Sequence, residues 1–415
     1  MWQNSEAMIE RRVPLMKSSL CKPRRQTYPN PHSPTRILLA VTASLLATLS
    51  LLPAANAFAP PAGHDNAAST ANSQWIRPQK PGDPLIWGRR DGVVFGLPST
   101  GGLPGPRGLI RVGVISAKTG KPELLNFIAI EPVVLGPGSR FSRMAFSELE
   151  PSRMDPGSRG KRLWVHPSTS AAGDSFRGDL QILPNKSGPI ERLSVQIDVE
   201  RFTANNAHVY LIASMESDHP DELRLAVYQY DDSPALEELT VTATMGNYER
   251  LRQLWLKKGV INSHELYGTY TGDAFIEHEN YPLNEMLRTS DGDAIALCTS
   301  DEAAPSDVPV TGAEHWRYRL PKLTQYWRIP AHDIEPDLRV RVNGRRVYWA
   351  SHDPLPGGAA FENFEVRQRY RPGQVFLFGV TGKAPWQFDP PIPSVSRPSA
   401  SDGLSTETLE GPSQH

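Results

Sequence analysis

Period-two alternation of apolar and polar residues recurs through the middle of this chain, and it sets the fold class. The segments 109–116 (LIRVGVIS), 124–134 (LLNFIAIEPVV), 192–202 (RLSVQIDVERF), 208–215 (HVYLIASM), 223–230 (LRLAVYQY) and 239–245 (LTVTATM) are rich in β-branched and aromatic residues and are separated by turn signals. In 192–202, Leu193, Val195, Ile197 and Val199 share one face and Ser194, Gln196 and Asp198 the other, the pattern of a strand with one wet side. Asn343-Gly344 lies between two such runs in 338–350 and reads as a hairpin turn, and 375–382 (VFLFGVTG) reads as a closing apolar strand. One helix is expected over 248–258, with Asn247 as N-cap, Tyr248, Leu251 and Trp255 as its stripe, Lys257 and Lys258 in its last turn and Gly259 beyond. Crossover helices are otherwise missing, so a parallel α/β fold is disfavoured. The expectation is an all-β protein: a large antiparallel β-sandwich, either one supersandwich or two sandwiches in tandem.

Residues 36–59 place an uncharged run, Ile37–Leu52, behind Arg36 and ahead of Ala55-Asn56-Ala57, which is the layout of an export signal with a small-x-small cleavage site. The run is shorter than the roughly 20 residues of a spanning helix and stops at Pro53, so cleavage is favoured over anchoring. A signal peptide with a long leader is therefore expected over 1–57, with Met8 and Met16 as alternative starts, and the mature protein is expected to be secreted or periplasmic. Arg11-Arg12 lies too far from the apolar run to read as a twin-arginine signal. Residues 58–84 read as a Pro/Ala-rich linker and 387–415 as a disordered Pro/Ser-rich tail, leaving 85–386 for the sandwich. The leader takes seven of the 44 basic and two of the 45 acidic residues, so the remainder is net −6 and lacks a basic footprint for nucleic acid. No membrane partner is expected after cleavage. Cys298 is the one cysteine left in the mature chain, which makes packing rather than an internal disulfide the source of stability.

Five constellations could carry chemistry. In 354–370, Pro356-Gly357-Gly358 makes a tight entry to Glu362, Asn363 and Glu365; on a regular strand Glu362 and Glu365 face opposite ways, while Asn363 and Glu365 share a side. A strand whose acids pair with Arg367, Arg369 or Arg371 is the competing reading. The loop 136–162 gathers Arg140, Arg143, Arg153, Arg159, Lys161 and Arg162 around Glu148, Glu150 and Asp155; its guanidinium forks suit an acidic glycan, or it neutralises itself. In 272–282, Asp273, Phe275, Glu277 and Glu279 project to one side and His278 to the other, a pattern open to calcium but also that of a solvated face. Trp316, Tyr318, Tyr326, Trp327, Tyr348 and Trp349 sit among arginines, as sugar-stacking rings do, although strand alternation sends about half of them inward. His315, His332 and His352 are candidate bases, and no Gly-x-Ser-x-Gly elbow marks a serine hydrolase.

The stretches TVTATMGNYERLRQLWL, LTQYWRIP and PGGAAFENFEVRQRYRPGQVFLFGV resemble uncharacterised secreted bacterial β-rich proteins. The strand-dense layout over about 85–386 is similar in style to the galactose-mutarotase-like supersandwich of carbohydrate-active proteins. That resemblance implies glycan chemistry, but the His and Glu pair of mutarotases has no residue-by-residue match here. The expected function is recognition of a glycan or polysaccharide, with lyase, hydrolase or mutarotase-like processing undecided. A non-catalytic glycan- or envelope-binding module and a structural interaction module are the alternatives. Glu365, Asn363, Arg346 and His352 are the candidate catalytic residues; Trp316, Tyr326, Trp327, Tyr348, Trp349 and Arg153 are the candidate substrate contacts. No cofactor or metal is expected, calcium being an option without a supporting ligand set.

Overall fold

The computed structural model describes residues 74–97, 108–134, 146–154, 160–167, 175–244, 250–301, 323–347, 354–355 and 357–388, all within the unit Ser73–His415. The export signal, most of the linker, the tail beyond 388, and the candidates Trp316, Tyr348, Trp349 and His352 lie outside these residues.

Two antiparallel sheets face each other. The first is ordered β1 (Trp75–Ile76), β2 (Ile86–Arg89), β3 (Val93–Gly96), β4 (Ile110–Ile115), β5 (Pro122–Val134), β11 (Leu236–Thr244), β19 (Ala360–Arg369), β18 (Arg339–Arg345) and β14 (Glu279–Pro282). The second is ordered β13 (Gly259–Asn262), β12 (Gln253–Leu256), β16 (Ala294–Thr299), β17 (Thr324–Ile329), β20 (Val375–Thr381), β10 (His219–Gln229), β9 (Val209–Glu216), β8 (Ile190–Val199) and β6 (Leu163–Val165). Two side strands, β15 (Leu287–Arg288) and β7 (Asp179–Leu183), pair with β16 and β8.

The core follows from the alternation. Leu193, Val195, Ile197 and Val199 of β8 point inward with Val241 of β11, Phe364 and Val366 of β19 and Phe376 and Phe378 of β20, all within one buried cluster between the sheets. Trp327 of β17 belongs to it, fully buried, and its indole N–H donates to the Phe364 carbonyl of the opposite sheet at 2.8 Å. A buried indole with its one donor satisfied is a core residue, so Trp327 is not a substrate contact. The sandwich also begins earlier than composition implies: Trp75, assigned to the linker, is buried in the same cluster and pairs across to Arg89.

Two local expectations are corrected. The helix expected at 248–258 is not formed over its described residues, 250–258; β12 and β13 make a hairpin there, pairing from Gln253↔Asn262 to Leu256↔Gly259 around Lys257-Lys258, with Gly259 at φ +135°. Leu254 and Leu256 enter the main core while Trp255 turns to a second cluster with Ile295, Leu297 and Tyr326, so both faces are buried and the alternation is hidden. The short helix is α1 (Ser263–Tyr267), whose N-cap Asn262 accepts from the His264 N–H at 2.8 Å. The other correction concerns Asn343-Gly344, which lies inside β18 rather than at a turn. The pairing of β18 with β19 slips there, from Asn343↔Asn363 to Gly344↔Phe361, leaving Glu362 as the extra residue of a bulge. Gly344 is needed because the Tyr267 ring packs on it: a Cβ at this position would sit 2.5 Å from Cε2 of that ring.

Candidate functional site

The bulge decides which acids share a face. On a regular β19, Glu362 would turn inward; with one residue absorbed, it joins Glu365 on the outer face of the first sheet. Glu148, from the stretch 146–154, is near enough to both for charge to act between them: it raises the Glu362 pKa, and Glu365 raises that of Glu148. Opposite faces for Glu362 and Glu365 is therefore a sequence expectation that the bulge overturns.

Glu365 is completely buried. Its Oε1 lies 3.2 Å from His278 Nε2 and its Oε2 lies 3.5 Å from Arg341 Nη1 of β18. Burial pushes the Glu362 carboxyl up to about 8, against the pull of Arg345, with Glu148 adding to the rise. Burial likewise pushes Glu148, half-buried as a residue but with its carboxyl on the enclosed side, up to about 7; Glu365 adds to the rise and Arg111 opposes it. Glu131 of β5 is raised by the same desolvation, in spite of Arg367 at 3.6 Å. The Arg111 guanidinium lies over the Phe127 ring at 3.6 Å, and that of Arg345 over the exposed Phe275 ring at 4.6 Å.

One row across this face is short of partners. Thr242 of β11, Glu365 of β19 and Arg341 of β18 are direct cross-strand neighbours. Thr242 Oγ1, Glu365 Oε2 and Arg341 Nε are buried without a hydrogen-bond partner among the described residues, as is Arg345 Nε. Buried polar atoms are normally paired, because leaving one unmade costs about 1–3 kcal/mol. Such a row, holding a hydroxyl, an acceptor and a donor, would be completed by water or by a guest that offers both donors and acceptors.

The sequence-derived candidates distribute unevenly. Glu365 is at the centre. Asn363 flanks it but is engaged within the sheet, accepting from Thr244 Oγ1 at 3.0 Å while its own N–H donates to Asn343 Oδ1 at 3.0 Å. Arg346 is half-buried at the end of β18, and it is the preceding Arg345 that meets Glu362. Arg153 is exposed on the stretch whose Glu148 reaches the centre, while Lys161 is buried against Glu150 at 3.3 Å, an internal neutralisation of that loop. Tyr326 is buried on the outer side of the second sheet, its hydroxyl donating to Glu222 at 3.0 Å, and is not available to a ligand. His278 faces the centre while Asp273, Phe275, Glu277 and Glu279 are exposed, the partition read from 272–282. Among the described residues no three His, Cys, Asp or Glu side chains converge as metal ligands. The Gly357-Gly358 entry, at φ +78° and +88°, wraps Arg252, whose Nη2 donates to the Gly358 carbonyl at 3.3 Å. Asp301 bridges that guanidinium, at 3.2 Å, and His264, at 3.1 Å.

Fold and centre together define a two-sheet antiparallel β protein with a buried, mixed-charge polar centre on one outer face. Comparison with protein-family models, curated proteins and solved structures finds no match to this chain.

Proposed function

We propose that this protein recognises a glycan at the outer face of its first sheet and acts on it by acid–base chemistry. The observation that carries this reading is the Thr242–Glu365–Arg341 row of unpartnered buried atoms. A sugar hydroxyl is both donor and acceptor, so a vicinal diol can give a proton to Glu365 Oε2 while accepting from Arg341 Nε or Thr242 Oγ1. Acid–base capacity comes from the split among the carboxyls. Glu362 and Glu148 hold protons to about 8 and about 7, while Glu365 is the ion-paired acceptor. Carboxyls whose environments divide them this way suit a donor and an acceptor acting on one substrate. Phe275, exposed beneath Arg345, offers a ring at the edge of the face. The same row of donors and acceptors supports a second reading, glycan binding without turnover.

The test is incubation of the full chain with a panel of polysaccharides, following new reducing ends, unsaturated products and anomeric equilibration. Turnover of at least one substrate is expected, with the rate falling as pH rises through about 7 to 8, because Glu148 and Glu362 then lose their protons. Glu362→Gln should lower kcat by about 10²-fold or more, the usual worth of a general acid, with an unchanged circular dichroism spectrum. Binding that Thr242→Val weakens, with turnover seen in neither the parent nor Glu362→Gln, selects the second reading. No binding to any member of a broad panel removes both.

A further inference from the structure

The opposite outer face of the sandwich carries an aromatic array that the centre does not use. On β9 and β10, Tyr210 lies directly across from Tyr228, ring centroids 5.2 Å apart and planes within 11°. Tyr230 packs diagonally on Tyr210 at 4.9 Å and on His208 at 4.3 Å. All four rings are half-exposed, unlike the core aromatics. Beside them runs a polar row: Asp198 of β8, across from Tyr210, accepts from Tyr230 Oη at 2.7 Å and from Gln196 Nε2 at 3.1 Å, and its Oδ2 lies 2.8 Å from His166 Nδ1. Half-buried Trp164 of β6 lies across from Asp198. From Trp164 to Tyr228 the array crosses four strands, about 14 Å at roughly 4.8 Å per strand, room for more than one sugar ring.

The chemistry of the face selects its occupant. Rings interleaved with phenol hydroxyls, an amide, an imidazole and a carboxylate are too polar for a lipid surface or a dry protein interface. The charges that reach the rings are mixed, with the acids outermost: Asp198 and Asp231 both raise the Tyr210 phenol pKa, burial being the larger cause, Asp231 and Asp232 are exposed, and the half-buried Arg224 interacts with Tyr228 while half-buried Arg201 lies 3.3 Å from His208. The Arg201 guanidinium is taken up by Asp232. With the exposed charges acidic and the arginines half-buried, a polyanion is disfavoured, while an uncharged sugar, apolar on its C–H faces and hydroxylated at its rim, is complementary.

We propose that this face is a second, non-catalytic docking surface for a neutral pyranose polymer, which lies against Tyr210, Tyr228 and Tyr230 and hydrogen bonds to Gln196 and His166, both positioned by the buried Asp198. The surface is independent of the acid–base centre, and so is its test. Native gel electrophoresis of the full chain is run through gels containing mixed-linkage β-glucan, neutral xylan or soluble starch, with alginate as the anionic control. At least one neutral polymer should retard the protein and alginate should not. Tyr210→Ala and Tyr230→Ala should each weaken retention about tenfold or more, the loss of a central aromatic anchor. Tyr210→Phe, which keeps the ring, should retain binding. Tyr210→Leu and Tyr230→Leu serve if the alanine variants lose their circular dichroism signal, and the same weakening is expected. Absence of retardation by every neutral polymer, unchanged retention in the folded ring-less variants, or equal retardation by alginate would each overturn the proposal.

Discussion

Replacing Arg341 by Leu lowers the stability of the protein by about 3–5 kcal/mol, the cost of leaving a buried carboxylate without its cation. At roughly 2–4 °C per kcal/mol for a domain somewhat smaller than this one, the melting temperature falls by about 10 °C. The expectation follows from burial. Glu365 has no exposure, Arg341 supplies its guanidinium at 3.5 Å, and His278 is its other close partner. The double substitution Arg341→Leu with Glu365→Leu should recover most of the loss, since exchanging both members of a buried pair for apolar residues is often close to neutral. Thermal melts of the three proteins check this. A single variant within about 1 kcal/mol of the parent would mean that water, not protein, surrounds Glu365.

Gly379→Ala is the second severe change. Gly379 lies in the middle of β20, directly across from Tyr326, whose ring lies over it; an added Cβ would stand 1.9 Å from Cζ. The ring has nowhere easy to go. It packs with Trp255, Ile295 and Leu297, meets Phe388 edge-on at 5.1 Å, and its hydroxyl is fixed to Glu222. Overpacking alone costs about 1–3 kcal/mol, and displacing the phenol from Glu222 adds to it, so a loss of about 3 kcal/mol or more is expected. Tyr326→Ala combined with Gly379→Ala should be less damaging than the two costs added together, because the clash disappears with the ring. Denaturant melts of both singles and the double measure that coupling. Simple additivity would contradict the packing described.

What was legible in the sequence was the alternation. Strands β4, β5, β8, β9, β10 and β11 fall within a few residues of their expected segments because each alternates into the core, and β20 is marked by its continuous apolar run, being buried on both faces. The hairpin at 253–262 was not legible: with Leu254, Trp255 and Leu256 all buried, no wet face marks the period, and the same apolar spacing also fits a helix. Asn343-Gly344 misled for a different reason, since the dipeptide suits a turn but the Tyr267 ring uses the glycine for close approach. That bulge also hid the centre. A slip of one residue changes the face of a side chain, and no local signal announces it, so the sequence favours Asn363 and Arg346 where the fold brings in Glu362 and Arg345. The aromatic array, by contrast, was readable: Tyr228 and Tyr230 alternate in 223–230, and His208 and Tyr210 do so in 208–215. Density of Trp and Tyr along the chain points to 316–349 instead, where Trp327 fills the core.

The ionisation of Glu362 tests the account most directly. Carbon-13 NMR of the full chain labelled at glutamate carboxyls, titrated from pH 4 to 10, should reveal one carboxyl with a midpoint near 8 that vanishes in Glu362→Gln and another near 7 that vanishes in Glu148→Gln. Stability should follow the same sign. A carboxyl raised above its unfolded value of about 4.3 stabilises the fold while protonated, so unfolding free energy should decline as pH climbs from there through 8, less steeply in Glu362→Gln. Midpoints for both residues near the ordinary glutamate value would contradict the account, because the face would then be open to water and no proton donor would stand beside Glu365.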